Sequence, residues 1–472
     1  MDHHHDLGAD WVIDFEITVM DIKGKKILVL GLGDTGLSLV RWLLRQGAQV
    51  RAADSRAAPP HAAQIRAQWP QVEIMLGAFN AACFQAIDLI AISPGVPLAS
   101  IPKTQVPVVG DVELFAQALA PRRAKLIAIT GANGKTTVTA LCGAMCQQSG
   151  AHTVVAGNIG LPVLDALGAI EDGAPMPEIF VLELSSFQLE TTATLHADAA
   201  TVLNVTQDHL DRYPDMATYA AAKARIFAGH GVQLLNRDDV YSQAMAEPGR
   251  RIESFGLSAP ANDAEWGLAQ IDGVECLVRG HERLLPCQDI PLAGRHNAAN
   301  ALAALALCRA IGLPLAPLLT ALRNFKGLPH RVQKIAEVGG VIFYDDSKGT
   351  NVGATVAALN GMREPVVLIA GGDGKGQDFS SLKPACAAHA RAVVLIGRDA
   401  SQIAAALSGC AVPLLPARDM EEAVRLAFQA SHVGDAVLLS PACASFDMFR
   451  NYEHRAQVFV AAVQKLQQER AA

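Results

Sequence analysis

The sequence predicts an α/β fold of three domains: an N-terminal Rossmann-like unit, a central P-loop ATPase-like unit with a small β-rich insertion, and a C-terminal Rossmann-like unit. Three observations carry this. Short apolar runs recur along the chain, each ending in a loop of small or charged residues and many followed by a helical apolar pattern, the order of parallel βαβ units. Two of these joints are glycine-rich turns, Gly31-Leu-Gly-Asp-Thr-Gly36 and Thr130-Gly-Ala-Asn-Gly-Lys-Thr-Thr137. The chain's 472 residues are long enough for about three domains.

Composition narrows the function classes. With 51% hydrophobic and 18% charged residues the chain is globular, not disordered. A net charge of −7 argues against a general nucleic-acid or membrane-surface binder, so any anionic ligand must be met by local positive charge. The nine cysteines are scattered with no C-x-x-C, a usage that fits a reducing cytoplasm, and Cys142 and Cys146 are read as packing residues, not metal ligands. No run of about 18 apolar residues occurs, so no membrane insertion is expected. Residues 1–20, which include His3, His4 and His5, lack a signal-peptide pattern and are read as a flexible tail, with ordered sequence beginning near Ile22.

The first unit is placed at residues 1–115. A strand at 25–30 leads into Gly31 to Gly36 and a helix bearing Leu39, Val40, Leu43 and Leu44, and a second strand at 49–53 ends at Asp54. G-x-G-x-x-G followed by an acid about 20 residues on allows close backbone approach to a phosphate and an acid for a ribose or base; a dinucleotide, another nucleotide and a purely structural role all fit. A third strand at 88–92 ends in Ser93-Pro94-Gly95, at the carboxyl edge where ligands of open α/β sheets bind.

The central unit, 116–327, opens on the phosphate loop. Strand, small-residue loop, Lys135-Thr136 and helix make a cradle whose backbone N–H groups face an anion, whose lysine neutralises it and whose threonine can hold Mg²⁺. The match to G-x-x-x-x-G-K-[ST] is incomplete, because its first glycine falls at Ile129. Gly157-Asn158-Ile159-Gly160 is a glycine-bounded loop, and Glu183 ends an apolar strand where an acid suits Mg²⁺. A strand at 201–205 precedes Gln207-Asp208-His209-Leu210-Asp211, which reads either as a solvated turn or as a metal or phosphate contact. A helix is expected at 219–227 with Lys223 among small and apolar neighbours, and a buried lysine becomes a neutral amine readily. Residues 250–290 read as a β-rich insertion, and a helix from 295 carries His296, Asn297 and Asn300.

The third unit, 328–472, begins after Gly327. Strands at 341–344, 366–370 and 436–439 end in loops carrying Asp346, Lys348 and Thr350, then Lys375, then Ser445 and Phe446; a fourth strand lies at 392–396. Cations and hydroxyls at strand ends suit a small anion.

Thr130 to Thr137, Gly157 to Gly160, Glu183 to Ser186, His296-Asn297-x-x-Asn300 and Gly327 to Arg331 resemble the motifs of the Mur ligase family. Asp346 to Asn351, Gly371 to Gly376 and Ser440 to Asp447 resemble its D-glutamate-adding branch, in order from about residue 21 to the end. The resemblance implies ATP, two Mg²⁺ ions, UDP-N-acetylmuramoyl-L-alanine and D-glutamate as ligands, in cytoplasmic peptidoglycan synthesis and hence cell-wall growth and division. It implies that Gly131, Asn133, Gly134, Lys135, Thr136 and Thr137 cradle the phosphates, while Asn297, Asn300, Arg331 and Asp346 hold the rest of ATP. Thr136 and Glu183 would hold one Mg²⁺, and His209 with a carbamylated Lys223 a second; Lys135, His209 and Lys223 are the expected catalytic residues. Gly33, Asp34, Thr35, Asp54, Ser55, Ser93, Asn158 and His209 would contact the UDP substrate, with Asp34 standing where the family often has an apolar residue. Lys348, Thr350, Lys375, Ser445, Phe446 and Tyr452 would hold D-glutamate, with Tyr452 where phenylalanine is familiar. A monomer is expected. The rivals are another ligase of the same family, a nicotinamide-dependent dehydrogenase built on Gly31 to Gly36, and a nucleotide-binding regulator without turnover.

Overall fold

A computed structural model describes residues 22–208, 212–292 and 294–471; the tail read at 1–20 and the candidate His209 lie outside the described residues. Three sheets organise the chain. The first comprises β1 (Lys26–Leu30), β2 (Gln49–Asp54), β3 (Glu73–Leu76), β4 (Leu89–Ile92) and β5 (Val108–Gly110), with α1 (Asp34–Arg45), α2 (Ala62–Gln68) and α3 (Asp111–Leu119). All five strands are parallel in the order β3-β2-β1-β4-β5, so the order reverses beside β1. Both loops singled out in the sequence, after β1 and after β4, emerge at that switch point, the crevice where α/β sheets bind ligands. The α1 residues Leu39, Val40 and Leu43 are fully buried, and its polar face carries Arg41 and Arg45 toward the next unit.

The central unit runs β6 (Lys125–Thr130), α4 (Lys135–Gln148), β7 (Thr153–Gly157), α5 (Val163–Glu171), β8 (Ile179–Glu183), α6 (Ser186–Glu190), β9 (Ala199–Val202) and α7 (Met216–Ala224). It continues through β10 (Val232–Asn236), α8 (Val240–Ala244), β11 (Ile252–Phe255), β12 (Glu265–Ile271), β13 (Val274–Arg279), β14 (Glu282–Pro286), α9 (Arg295–Ala310) and α10 (Leu315–Asn324). The nine-stranded order is β14-β13-β12-β11-β10-β9-β6-β8-β7. The expected insertion is a continuation of this sheet: β12 joins β11 in parallel, and β13 and β14 fold back antiparallel. The strand expected at 201–205 ends at Val202, because Asn204 turns away to serve the phosphate loop. The helix expected at 219–227 starts earlier, at Met216, where the Asp215 carboxylate caps it by accepting from Thr218 N, and it tightens into a 3₁₀ turn at Arg225–Phe227.

The third unit comprises β15 (Gln333–Val338), β16 (Val341–Asp345), α11 (Val352–Gly361), β17 (Val366–Gly371), α12 (Leu382–His389) and β18 (Ala390–Ile396). It ends with α13 (Ala400–Ala406), β19 (Leu414–Pro416), α14 (Met420–Ala430), β20 (Ala436–Leu439) and α15 (Tyr452–Ala471). Its order, β15-β16-β20-β17-β18-β19, makes β16, β20 and β17 neighbours, so their three functional loops lie side by side.

The cores are shared unequally. One apolar cluster runs without a break from Ile27 and Val29 of the first sheet to Phe180 and Leu182 of the central one, with Phe115 of α3 edge-on to Phe180 at 5.2 Å. The third unit has its own clusters on the two faces of its sheet. Among the described residues no helix is long and apolar enough to cross a membrane.

Candidate active site

The phosphate loop sits between β6 and α4. Gly134 caps α4 with φ +84°, and a Cβ there would lie 2.6 Å from Asn300 Oδ1, so the position needs glycine both for its left-handed backbone and for the close approach of α9. The loop is shaped from β9's end: Asn133 N donates to Asn204 Oδ1 (2.8 Å), Asn204 Nδ2 donates back to Asn133 O (3.0 Å), and Ala132 N donates to Asn204 O (2.9 Å). Two lysines converge on one carbonyl. Lys135 Nζ donates to Gly131 O (2.8 Å) and Ala132 O (3.0 Å), and Lys223 Nζ donates to the same Gly131 O (3.1 Å).

Lys223 is 1% exposed and lies over the Tyr219 ring at 4.5 Å. Burial first, and the charge of Lys135 second, push its pKa well below the ordinary lysine value. Lys135 is also lowered, by burial, with Arg331 and Lys375 adding repulsion against the pull of Glu183 and Asp208. An anion bound beside these lysines would favour their charged forms.

Glu183 is 2% exposed at the end of β8 and accepts from Asn158 Nδ2 (3.0 Å), so Asn158 steers this carboxylate. Thr136 Oγ1 accepts from Arg331 Nη2 (3.0 Å), and Arg331 also senses the charge of Glu183. A buried carboxylate at the end of β8 and a hydroxyl in the first turn of α4 are oxygen donors of the kind Mg²⁺ takes. They suit an ion whose shell phosphate oxygens and water would complete.

The third unit closes over this loop through polar links. Lys375 Nζ pairs with Asp208 Oδ1 (2.6 Å), Asn351 Nδ2 donates to Asp208 Oδ2 (3.2 Å), and the Asn351 and Asn133 amides bond reciprocally (3.0 and 3.2 Å). Asp346 is buried; its pKa is pushed up to about 7 by burial, against the hydrogen bond from Ser440 (2.7 Å) and the charge of Arg331. Burial, then Arg331, lowers Lys348 to about 8, with its ammonium over the Tyr452 ring at 4.9 Å. Ser445 is buried, Thr350 half-buried, and Phe446 74% exposed, its ring turned to solvent and not into a pocket. At the start of α9, Asn300 Nδ2 donates to Asn297 Oδ1 (3.1 Å), and burial followed by Arg331 holds His296 neutral, near pKa 4.

The first unit's candidates gather at their own switch point. Asp54 Oδ2 accepts from Leu32 N (2.7 Å) and pairs with Arg56 Nη2 (2.6 Å). Burial raises the Asp54 pKa, but these bonds outweigh it and the net shift is downward. Ser93 Oγ donates to Gly31 O (3.0 Å), and a Cβ on Gly36 would lie 1.8 Å from that same oxygen, so the turn admits only glycine. Gly33 caps α1; Asp34 in its first turn is exposed and meets His61 Nε2 (2.6 Å); Thr35 is half-buried and Ser55 exposed. Four participants escaped the list of candidates. Arg56 lies two residues after Asp54, Asp208 precedes His209, and Asn351 closes the Asp346 motif, so each was within reach of a motif; Asn204 had no local signal.

A Gly-Lys-Thr loop at the switch of a parallel sheet, with a buried acid beside it and a cation-rich α/β unit folded over it, defines a phosphate-loop α/β protein of three domains. The chain belongs to the Mur ligase family. Residues 25–110 match the MurD-like N-terminal domain of Mur ligases, 129–308 the Mur ligase middle domain and 330–443 the Mur ligase glutamate ligase domain. The chain is 58% identical over 471 residues to the UDP-N-acetylmuramoylalanine--D-glutamate ligase of Thiobacillus denitrificans, covering 96% of this chain and 98% of the relative. It is 56% identical over 462 residues to the enzyme of the same name from Nitrosospira multiformis, covering 96% and 98%. In fold it is similar to the MurF ligase of Thermotoga maritima, solved in complex with ADP, with a TM-score of 0.60 at 16% identity over 98% of both chains. Family membership sets aside the dehydrogenase left open by Gly31 to Gly36.

Proposed function

We propose that this chain joins D-glutamate to UDP-N-acetylmuramoyl-L-alanine at the expense of ATP, releasing ADP and phosphate. The observation that carries the reading is the chain of contacts Lys375–Asp208–Asn351–Asn133, which ties a cation of the third unit to the phosphate loop of the second. An amine held by one unit can then meet a phosphate held by the other.

In the first step a carboxylate oxygen of the alanine attacks the γ-phosphorus, the bond to the β-phosphate oxygen breaks, and ADP leaves. The D-glutamate amine then attacks the acyl phosphate carbon. The tetrahedral intermediate collapses to an amide, expelling phosphate and a proton. Two anions must approach, so positive charge decides the rate. Lys135 would move from its loop carbonyls onto the phosphates, with Arg331 beside it. Asn297, Asn300 and Asp346 would hold the nucleoside, and Gly131, Asn133, Gly134, Thr136 and Thr137 the phosphates. Thr136 and Glu183 would hold one Mg²⁺, whose charge lowers the repulsion between carboxylate and phosphate. Lys223, a buried amine whose pKa is pushed down, gives up its proton more readily than an exposed lysine and could then add CO₂; its carbamate, with His209, would supply oxygen and nitrogen ligands for a second ion.

The UDP end would lie along Gly33, Asp34, Thr35, Asp54, Ser55 and Ser93, with Asn158 and His209 nearer the reacting carboxylate. D-Glutamate would be met by Lys348, Thr350, Lys375, Ser445, Phe446 and Tyr452. We place the unit boundaries at 115/116 and 327/328, and expect a monomer acting in the cytoplasm. Phosphate release, measured with ATP, UDP-N-acetylmuramoyl-L-alanine and one amino acid at a time, tests the reading: release with another amino acid and none with D-glutamate would sink it. Lys223→Ala is expected to be inactive, with part of the activity restored by acetate. Full activity without acetate would remove Lys223 from the mechanism.

A further inference from the structure

The three loops assigned to the amino acid follow β16, β17 and β20, and they carry Thr350, Lys375 and Ser445 respectively. A side chain that no motif singled out touches all three. Gln377, 5% exposed, accepts through Oε1 from Val352 N (2.9 Å), at the end of the Thr350 loop. Its Nε2 donates to Gly374 O (2.8 Å), beside Lys375, and to Ala442 O (3.3 Å), at the start of the Ser445 loop. Both amide hydrogens and one lone pair are therefore committed, each to a different loop. Burial keeps water from replacing any of them.

The pinned backbone is not relaxed. Lys375 has φ +52° and Ala442 φ +59°, a region that residues with a Cβ adopt rarely and hold only when their surroundings over-determine it. Further bonds converge there: Ala442 N donates to Gly349 O (2.9 Å), and Asp373 and Ala444 exchange backbone bonds (3.0 and 2.8 Å). The turn at Lys375 aims its ammonium at Asp208. We propose that Gln377 is a positioning residue that sets the spacing of Thr350, Lys375 and Ser445, and thereby the affinity for the amino acid substrate. This rests on the reading of those three residues as the amino acid's site. A glutamine that merely stabilised the fold would, when replaced, affect all three substrates alike.

The test uses the full chain carrying Gln377→Leu, of similar size and without any of the three bonds, and Gln377→Glu, which keeps the acceptor and loses both donors. KM is measured for each substrate, and phosphate release is also followed with hydroxylamine in place of D-glutamate, a small amine that needs no amino acid pocket. In Gln377→Leu, KM for D-glutamate is expected to rise by about tenfold or more, with the other two KM values within about twofold and hydroxylamine-supported release retained. Gln377→Glu is expected to fall in the same direction, and carries the comparison alone if the leucine variant has no cooperative melt. Equal rises in all three KM values, an unchanged KM for D-glutamate, or parallel loss of hydroxylamine-supported release would overturn the proposal. If the unaltered chain releases phosphate with hydroxylamine but not with D-glutamate, the functional reading fails, and the Gln377 comparison is made with the amino acid that does support turnover.

Discussion

Lys135 and Lys223 share Gly131 O, and burial first and the charge of Lys135 second lower the Lys223 pKa. An anion arriving between them would favour the charged form of both, which is the ground for proposing Lys135 as a phosphate ligand. Lys135→Ala is expected to lower kcat by at least about tenfold, because it leaves phosphate charge unmatched in a partly dry site; steady-state phosphate release checks it. Lys348 makes the pH argument. Burial lowers its pKa to about 8, so the ammonium is present at pH 7 and lost as the pH rises through 8 to 9. Binding of an anionic substrate at this site should weaken over that interval, and Lys348→Arg should flatten the dependence, as measured by KM against pH. At this scale the places of the loop glycines, Lys135, Glu183 and Asp54 in the fold were legible, because Glu183 and Asp54 end strands and the glycines and Lys135 lie in the turns and helix starts that follow strands within a motif. Asn204 was not: its amide matters only because β9 lies beside β6.

At the scale of elements, α3 is the joint between the first two units. Glu113 in its first turn is fully buried and accepts from Ala193 N (2.7 Å), Thr194 N (3.0 Å) and Thr194 Oγ1 (2.7 Å). Glu113→Ala would strand two backbone donors and should cost about 2–4 kcal/mol, read from urea unfolding. On the outer face, Arg41 and Ser38 of α1 both reach Asp165 of α5 and Arg45 reaches Asp172, so α1 and α5 are linked by charge as well as by packing. Helices with a full apolar stripe, such as α1, were readable from period alone. The strands β5 and β19, three residues each, were not, because a run that short carries no period. Nor could the alternating runs at 250–290 reveal that they extend the central sheet, since β12 finds β11 only through the tertiary fold.

Across the whole molecule the two unit junctions differ in kind. The first and central units share one apolar core, whereas among the described residues the central and third units meet through polar links such as Lys375–Asp208, Arg331–Thr136 and Asn133–Asn351 and through packing of α11 on α9. Neutral polar links of this sort contribute roughly 1 kcal/mol each, so the third unit is expected to separate from the central one more readily than the first does. The segment joining it bends sharply, with His330 at φ +60° and Val332 at φ +46°. ATP with Mg²⁺ should slow proteolytic cleavage at 326–332, and Asp208→Asn should speed it in the absence of nucleotide; peptide mapping after limited digestion checks both.

The three-unit α/β architecture, the phosphate loop and the family were all present in local patterns, because strand, turn and helix propensities and glycine's backbone freedom act over a few residues. The cysteines show the limit. That Cys142 and Cys146 pack in the core was readable, but only folding brought Cys146 Sγ to 4.0 Å from Cys308 Sγ of α9. The same holds for the site. The motif that proposes a phosphate site, Thr130 to Thr137, was written in the chain. That Gly131 O would hold two lysines, that Asp208 would meet Lys375 and Asn351, and that Gln377 would reach three loops depended on sheet order. Strand neighbours are chosen by burial of apolar faces, and that choice spans hundreds of residues.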